Sequence, residues 1–183
     1  MTKVALAFLI SIGPVVAEEG VASRLFGSVP PADFVDAFIG LCVSNPGRID
    51  KVAAAARTLE YADLPEDMAL MLSPQAPDAN FKGWLSMQGV GSPFLLGTSE
   101  GPFKGRIYQF CALSNPYMDS DAIMPRVEAL LELGQKFSDD TVAGQRMRGW
   151  LIPSIQGDAF LTINDMVGMG YSGVTISISA PKE

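Results

Sequence analysis

The chain has 183 residues, of which 48% are hydrophobic and 18% charged, a balance typical of a globular protein with a full-sized core. Its net charge of −7 and its scattered basic residues disfavour nucleic acid as a partner, because a phosphate-binding surface needs clustered Lys and Arg. The absence of histidine excludes Ser-His-Asp and Cys-His nucleophiles and histidine-ligated metal sites. We therefore expect no metal, no cofactor and no catalytic residues of these kinds.

Residues 1–17 predict a signal peptide. A positive start at Lys3 precedes a mostly apolar run over residues 4–16, and small residues at Val15 and Ala17 suit a cleavage site. The run is too short to span a bilayer comfortably. The alternative is a buried first strand or helix. On the leader interpretation, residues 18–183 form a single α+β domain that is periplasmic or secreted, with no stable membrane span after leader removal.

Cys42 and Cys111 predict a disulfide if the protein is exported to an oxidising compartment. The chain-entropy model assigns about 4 kcal/mol to closing such a long loop. The alternative is a pair of buried free thiols that act as small hydrophobic residues. A catalytic thiol is disfavoured because the chain has no histidine and no Cys-x-x-Cys sequence.

Helical spacing opens the domain, followed by strand patterns. An apolar stripe from Phe34 to Cys42 predicts a first helix, and residues 48–59 predict a second. A short turn at 66–72 and a loop at 73–80 lead to strands at about 82–88, 93–98 and 105–113. Asp119 or Ser120 caps a helix over about 121–137. Three further strands follow, at about 146–153, 159–164 and 173–179.

The two halves share a Gly-Trp-Leu pattern, at Gly83-Trp84 and at Gly149-Trp150. The fold class we predict is α+β, with an antiparallel sheet of about six strands in two helix-plus-three-strand halves and the helices packed on one face. A duplicated unit would explain the repeat, and chance similarity of two hairpins is the alternative. We expect both tryptophans to be core residues, although an exposed sheet face would make them binding residues.

The stretch 168–173 reads Gly-Met-Gly-Tyr-Ser-Gly and matches the dinucleotide-binding pattern letter for letter. That motif needs a helix directly after it, whereas a strand pattern follows here, so we interpret the stretch as a turn. Tyr171 and Ser172 are our candidate binding residues, because exposed loops often carry binding function. Five arginines could also surround an anionic ligand: Arg57, Arg106, Arg126, Arg146 and Arg148.

Several short features together resemble small exported alphaproteobacterial proteins of unassigned function. These features are the leader, Cys42, Gly83-Trp84, Gly105-Arg106, Cys111, Gly149-Trp150 and the final strand after Gly173. The resemblance implies an envelope location and a disulfide-bearing α+β domain, and it implies no catalytic residues.

The function that the sequence predicts is a non-catalytic exported binding or interaction protein of the bacterial envelope, whose partner is an envelope protein or a small ligand. One alternative is a periplasmic inhibitor of a cell-wall hydrolase that acts through the 168–173 loop. Another is an Asp/Glu-dependent hydrolase. The hydrolase would need a pocket in which at least two carboxylates with shifted pKa values converge.

Overall fold

The computed structural model describes residues 24–65, 69, 72, 80–87, 93–155, 157–166, 168, 170 and 172–183. The predicted signal peptide and Tyr171 lie outside the described residues, as do most of the predicted turn and loop at 66–80. Among the described residues, no helix has the length and apolar character needed to cross a bilayer.

The described residues form eight strands in one antiparallel sheet, in the order β1-β2-β3-β4-β8-β7-β6-β5. The first four strands are β1 Ala62–Asp63, β2 Asn80–Ser86, β3 Phe94–Phe103 and β4 Arg106–Asn115. The last four are β5 Lys136–Val142, β6 Gln145–Leu151, β7 Phe160–Asp165 and β8 Val174–Pro181. Each set is a meander, and pairing of β4 with β8 joins the two meanders at the middle of the sheet.

The prediction of about six strands in two helix-plus-three-strand halves is therefore wrong. Strands take up 41% of the described residues and helices only 28%, so the described fold is mostly sheet. The six predicted strands correspond to β2, β3, β4, β6, β7 and β8. The two missed strands lie at the sheet edges, where no apolar alternation marks them. β1 has only two residues, and β5 carries charges at Lys136, Asp139 and Asp140, as edge strands often do.

The helix before β5 is shorter than predicted. It ends at Leu130 instead of residue 137, and the chain then turns back along β6. The Gly134 amide donates to the Leu151 carbonyl oxygen, and the Leu151 amide donates to the Gln135 carbonyl oxygen. These bonds to a neighbouring strand replace the bonds that a further helical turn would have made.

The helices pack together on one face of the sheet. They are α1 Pro31–Phe38, which continues as a π-helix over Ile39–Val43, α2 Ile49–Thr58 and α3 Ser120–Leu130. Residues paired across strands share a face, and one row of paired core residues crosses the middle of the sheet beneath the helices: Leu96, Leu113, Ile176 and Ile163. Trp84 and Trp150 lie in this core at 6% and 7% exposure, which confirms the core interpretation.

The Gly-Trp repeat has a packing explanation. Each tryptophan faces the helices, and the glycine before it faces the opposite side of the sheet, where another side chain lies directly over it. A Cβ on Gly83 would come within 2.7 Å of Leu64 Cδ2, and a Cβ on Gly149 within 2.5 Å of Phe137 Cζ. The repeat therefore arises at least in part from equivalent packing in the two meanders.

The predicted disulfide is confirmed. Cys42 of the π-helix is bonded to Cys111 of β4, and their Cα atoms are 5.4 Å apart. Both cysteines are buried in the main core, between the helical layer and the central strand.

Reduction of this disulfide should lower the free energy of unfolding by about 2–5 kcal/mol. The cross-link joins residues 69 positions apart, and the unfolded chain regains conformational entropy when it is removed. Urea unfolding of the wild-type protein with and without a thiol reductant measures the change. The control is the Cys42→Ala/Cys111→Ala double variant, whose unfolding midpoint should not respond to reductant. Equal stability of oxidised and reduced wild type would contradict the prediction.

The C-terminal segment docks against the loop between the π-helix and α2. The Lys182 amide donates to the Ile107 carbonyl oxygen at 2.9 Å, and the Glu183 amide donates to the Gly47 carbonyl oxygen at 3.4 Å. Gly47 has a φ of +67°, and a Cβ there would lie 2.2 Å from the Pro181 carbonyl oxygen. Glycine is therefore required at position 47 both by its conformation and by the contact.

Gly47→Ala should destabilise the protein more than Gly105→Ala does. Gly105 also has a positive φ, of +75°, but a Cβ there meets nothing within 4 Å. Both variants carry the conformational cost of about 1–2 kcal/mol, and only Gly47→Ala adds a clash worth about 1–3 kcal/mol. Chemical denaturation of the two variants measures the difference, and equal losses of stability would show that the C-terminal segment does not press on Gly47.

Candidate ligand-binding site

A cavity of about 590 Å³ lies between the start of α2 and the sheet, where β2 begins and β3 ends. Its volume falls in the range of about 300–1,000 Å³ that small-molecule sites occupy. The residues that line the cavity are apolar, neutral polar and charged: Ile49, Asp50, Ala53, Asn80, Phe81, Lys82, Thr98, Glu100, Gln109 and Lys182.

Strand register and helix periodicity bring these residues together. Lys82 is paired with Thr98, and Glu100 is paired with Gln109, so their side chains project to the same side of the sheet. That side is the one that carries the helices, because Thr98 is also paired with Cys111. The first turn of α2 lies opposite and contributes the helical wall.

A network centred on Glu100 holds one end of the cavity. The buried Gln109 donates from Nε2 to Glu100 Oε2 at 2.5 Å, and its Oε1 accepts from the Ile49 amide at 3.0 Å. Lys182 Nζ lies 3.0 Å from Glu100 Oε1 and 2.9 Å from Oε2. This network ties β3, β4, the C-terminal segment and the start of α2 to one another.

The hydrogen bond from Gln109, followed by the one from Lys182, lowers the pKa of Glu100. Glu100 is therefore a carboxylate at neutral pH, and its charge is matched by the Lys182 ammonium. Asp50 and Lys82 differ from this pair, because within the described part of the chain neither side chain makes an ion pair or a hydrogen bond. The cavity thus presents one negative and one positive group that are open to a ligand.

A second cavity of about 520 Å³ shares Lys182 with the first. Its other charged side chains have partners, since Arg106 lies 3.8 Å from Asp158 and Glu183 lies 3.5 Å from Arg48. This cavity consequently has less unmatched charge to offer a ligand than the first one.

The candidate binding residue Ser172 lies at the other end of β8, away from the larger cavity. It is exposed and lines a small cavity of about 210 Å³ together with Asn164 and Thr175. Two described glycines near it contact other parts of the fold, because the Gly173 amide donates to the Met118 carbonyl oxygen and Gly168 lies against the backbone of Gly144. The described residues of the 168–173 stretch lie between β7 and β8, and Ser172 does not line the cavity described above.

The five arginines do not gather around one site. Arg126 forms a bidentate pair with Asp36 at 2.8 Å, and Arg146 pairs with Asp139 on β5. Arg106 lies near Asp158 in a different part of the fold, and Arg57 is exposed on α2. Hydrogen bonds from Arg146 and then Lys136 lower the pKa of Asp139 to about 2.

Arg148 of β6 is a buried cation that lies next to the start of α3. Sequence patterns did not single it out from the other arginines. Its Nη1 donates to Asp121 at 3.2 Å, and its Nη2 lies 3.8 Å from the buried carboxylate of Asp165. Asp165 accepts a hydrogen bond from Ser120 at 2.7 Å. Asp119 caps the same helix through the Asp121 amide, which confirms the predicted cap. These contacts join α3 to β6 and β7.

Arg148→Met should lower the free energy of unfolding by about 3–5 kcal/mol, because it leaves the Asp165 carboxylate buried without its cation. The matched control is Arg126→Met, which removes a pair whose side chains are 41% and 36% exposed and should cost at most about 1 kcal/mol. Urea denaturation measures both losses. Similar losses in the two variants would contradict a special role for the buried pair.

Comparisons with protein-family models, with curated proteins and with solved structures find no significant match to this chain. The resemblance to exported alphaproteobacterial proteins therefore stays a prediction. Within the described ranges, no three carboxylate or cysteine side chains converge in a way that would hold a metal ion. The functional inference accordingly depends on the cavity and its own side chains.

Proposed function

We propose that this protein is an exported, non-catalytic binding protein and that the cavity between α2 and strands β2 to β4 is its ligand site. The observation that carries the proposal is a cavity of about 590 Å³ lined by two opposite charges, Asp50 and Lys82, that have no partner among the described residues. Polar groups that converge on a partly apolar cavity are the usual features of a small-molecule site.

The rigid setting of the cavity supports a binding role. Gln109 is only 6% exposed, and its amide is held on both sides by Glu100 and the Ile49 amide. The disulfide at Cys111 lies two residues further along the same strand and on the same face. A site that is formed before the ligand arrives loses less conformational entropy on binding.

Export is supported by the disulfide, because disulfides form and persist mainly in oxidising compartments. The predicted leader at residues 1–17 points in the same direction. Together they favour the periplasm or the secreted fraction as the place where the protein meets its ligand.

The acid-dependent hydrolase is the weaker alternative. Its general acid would need a pKa raised toward neutrality, as a carboxyl group in an apolar setting has. The pKa of Glu100 in the cavity is lowered instead, and so is the pKa of Asp139 outside it. Neither carboxylate suits proton donation near neutral pH, whereas a binding role needs no raised pKa.

Ala53→Leu should abolish ligand binding, and Ala54→Leu should leave it unchanged. Ala53 lines the cavity, while its neighbour Ala54 faces solvent on the same helix, so the two variants add equal volume in different directions. Saturation-transfer NMR with a mixture of amino acids, dipeptides and monosaccharides gives the readout, and circular dichroism checks that both variants remain folded. No transfer to any compound, or equal transfer with folded Ala53→Leu, would contradict the proposed site.

A further inference from the structure

The charges of the cavity also indicate which class of ligand it binds, and this step depends on the proposed function. Four charged side chains line the cavity, two acidic and two basic. Glu100 and Lys182 neutralise each other at 2.9–3.0 Å. Among the described residues, the charged groups left for a ligand are the Asp50 carboxylate and the Lys82 ammonium, so a complementary ligand carries one cationic and one anionic group.

The two open groups belong to opposite walls. Asp50 is in the first turn of α2, whereas Lys82 rises from β2 on the sheet side. No ion pair joins them among the described residues, and both line the same cavity. A ligand that lies between helix and sheet can therefore present its cationic group to Asp50 and its anionic group to Lys82.

The other lining residues determine how polar the part of the ligand between its two charged ends can be. Ile49 and Ala53 contribute apolar surface, and Asn80 and Thr98 contribute neutral polar groups. An apolar or weakly polar body between the two charged ends would bury apolar area against Ile49 and Ala53. It would also keep water away from both ionic contacts, which strengthens them.

Other ligand classes fit less well. A polyanion would face Asp50 and a polycation would face Lys82, so each would meet a like charge. A neutral sugar would cover Asp50 and Lys82 without an ionic partner for either group.

We infer that the cavity binds a small zwitterion, namely an amino acid or short peptide with a free amino group and a free carboxylate. The amino group lies against Asp50, the carboxylate lies against Lys82, and an apolar side chain packs toward Ile49 and Ala53.

The experiment is calorimetric titration of the full-length oxidised protein with the dipeptides Ala-Ala and Ala-Phe, with N-acetyl-Ala-Phe and with Ala-Phe-amide. We expect the free dipeptides to bind, and each blocked form to bind at least about tenfold more weakly, as the loss of one ionic contact to a charged group implies. Asp50→Asn should weaken the binding of the free dipeptide and of the amide but not the binding of the acetylated form. Lys82→Met should weaken the binding of the free dipeptide and of the acetylated form but not the binding of the amide.

Matched controls separate these effects from general changes of charge. Asp33→Asn removes a first-turn carboxylate from α1, and Lys51→Met removes an exposed lysine next to Asp50 that does not line the cavity. Both controls should bind the free dipeptides as the wild type does.

The outcomes distinguish this inference from the proposed function. Blocked dipeptides that bind as tightly as free ones, or binding that ignores Asp50→Asn and Lys82→Met, would overturn the zwitterion inference. So would a monosaccharide that binds while the dipeptides do not, although a loss of that binding in Ala53→Leu would leave the proposed site intact. Failure of every compound to bind would overturn both.

Discussion

The Cys42–Cys111 disulfide joins the helical layer to the strand on which the sheet is centred. β4 pairs with β3 on one side and with β8 on the other, so it connects the two meanders as well as the two layers. Gln109 lies on the same face of this strand as Cys111, and its side chain accepts a hydrogen bond from the amide of Ile49, the first residue of α2. Both walls of the cavity are therefore positioned by β4, and a covalent bond prevents the helical layer from separating from it.

The site is completed by residues that are far apart in the chain. Lys182 reaches Glu100 only because the C-terminal segment hydrogen-bonds to Ile107 and to Gly47. Gly47 permits that approach, since any side chain there would collide with the Pro181 carbonyl oxygen. The pairing of Lys182 with Glu100 matches these two charges, so Asp50 and Lys82 are the charged lining residues that have no ion pair among the described residues. Packing at a glycine thus influences the chemistry of the cavity.

The repeated Gly-Trp pattern illustrates how sequence similarity can have a structural cause. In each meander the tryptophan fills the core between sheet and helices, and the preceding glycine makes room for a side chain on the opposite face. At Gly83 that side chain is Leu64, and at Gly149 it is Phe137. The two sites use different neighbours for the same purpose, so the pattern reports equivalent positions in the sheet and not a shared binding motif.

The amino-acid sequence by itself determined the strands whose apolar residues alternate, the core location of Trp84 and Trp150, and the cysteines available for a disulfide. These properties depend on local periodicity and composition, which can be read along the chain. Only the tertiary structure decided that β5 is a strand, because the charged residues of an edge strand lack the alternation that burial imposes. Only the tertiary structure shows that Arg148 is buried beside Asp165 and that α2, β2, β3, β4 and the C-terminal segment together form the cavity. The physical reason is that strand register and the docking of chain ends bring together side chains whose separation in sequence carries no signal of their proximity.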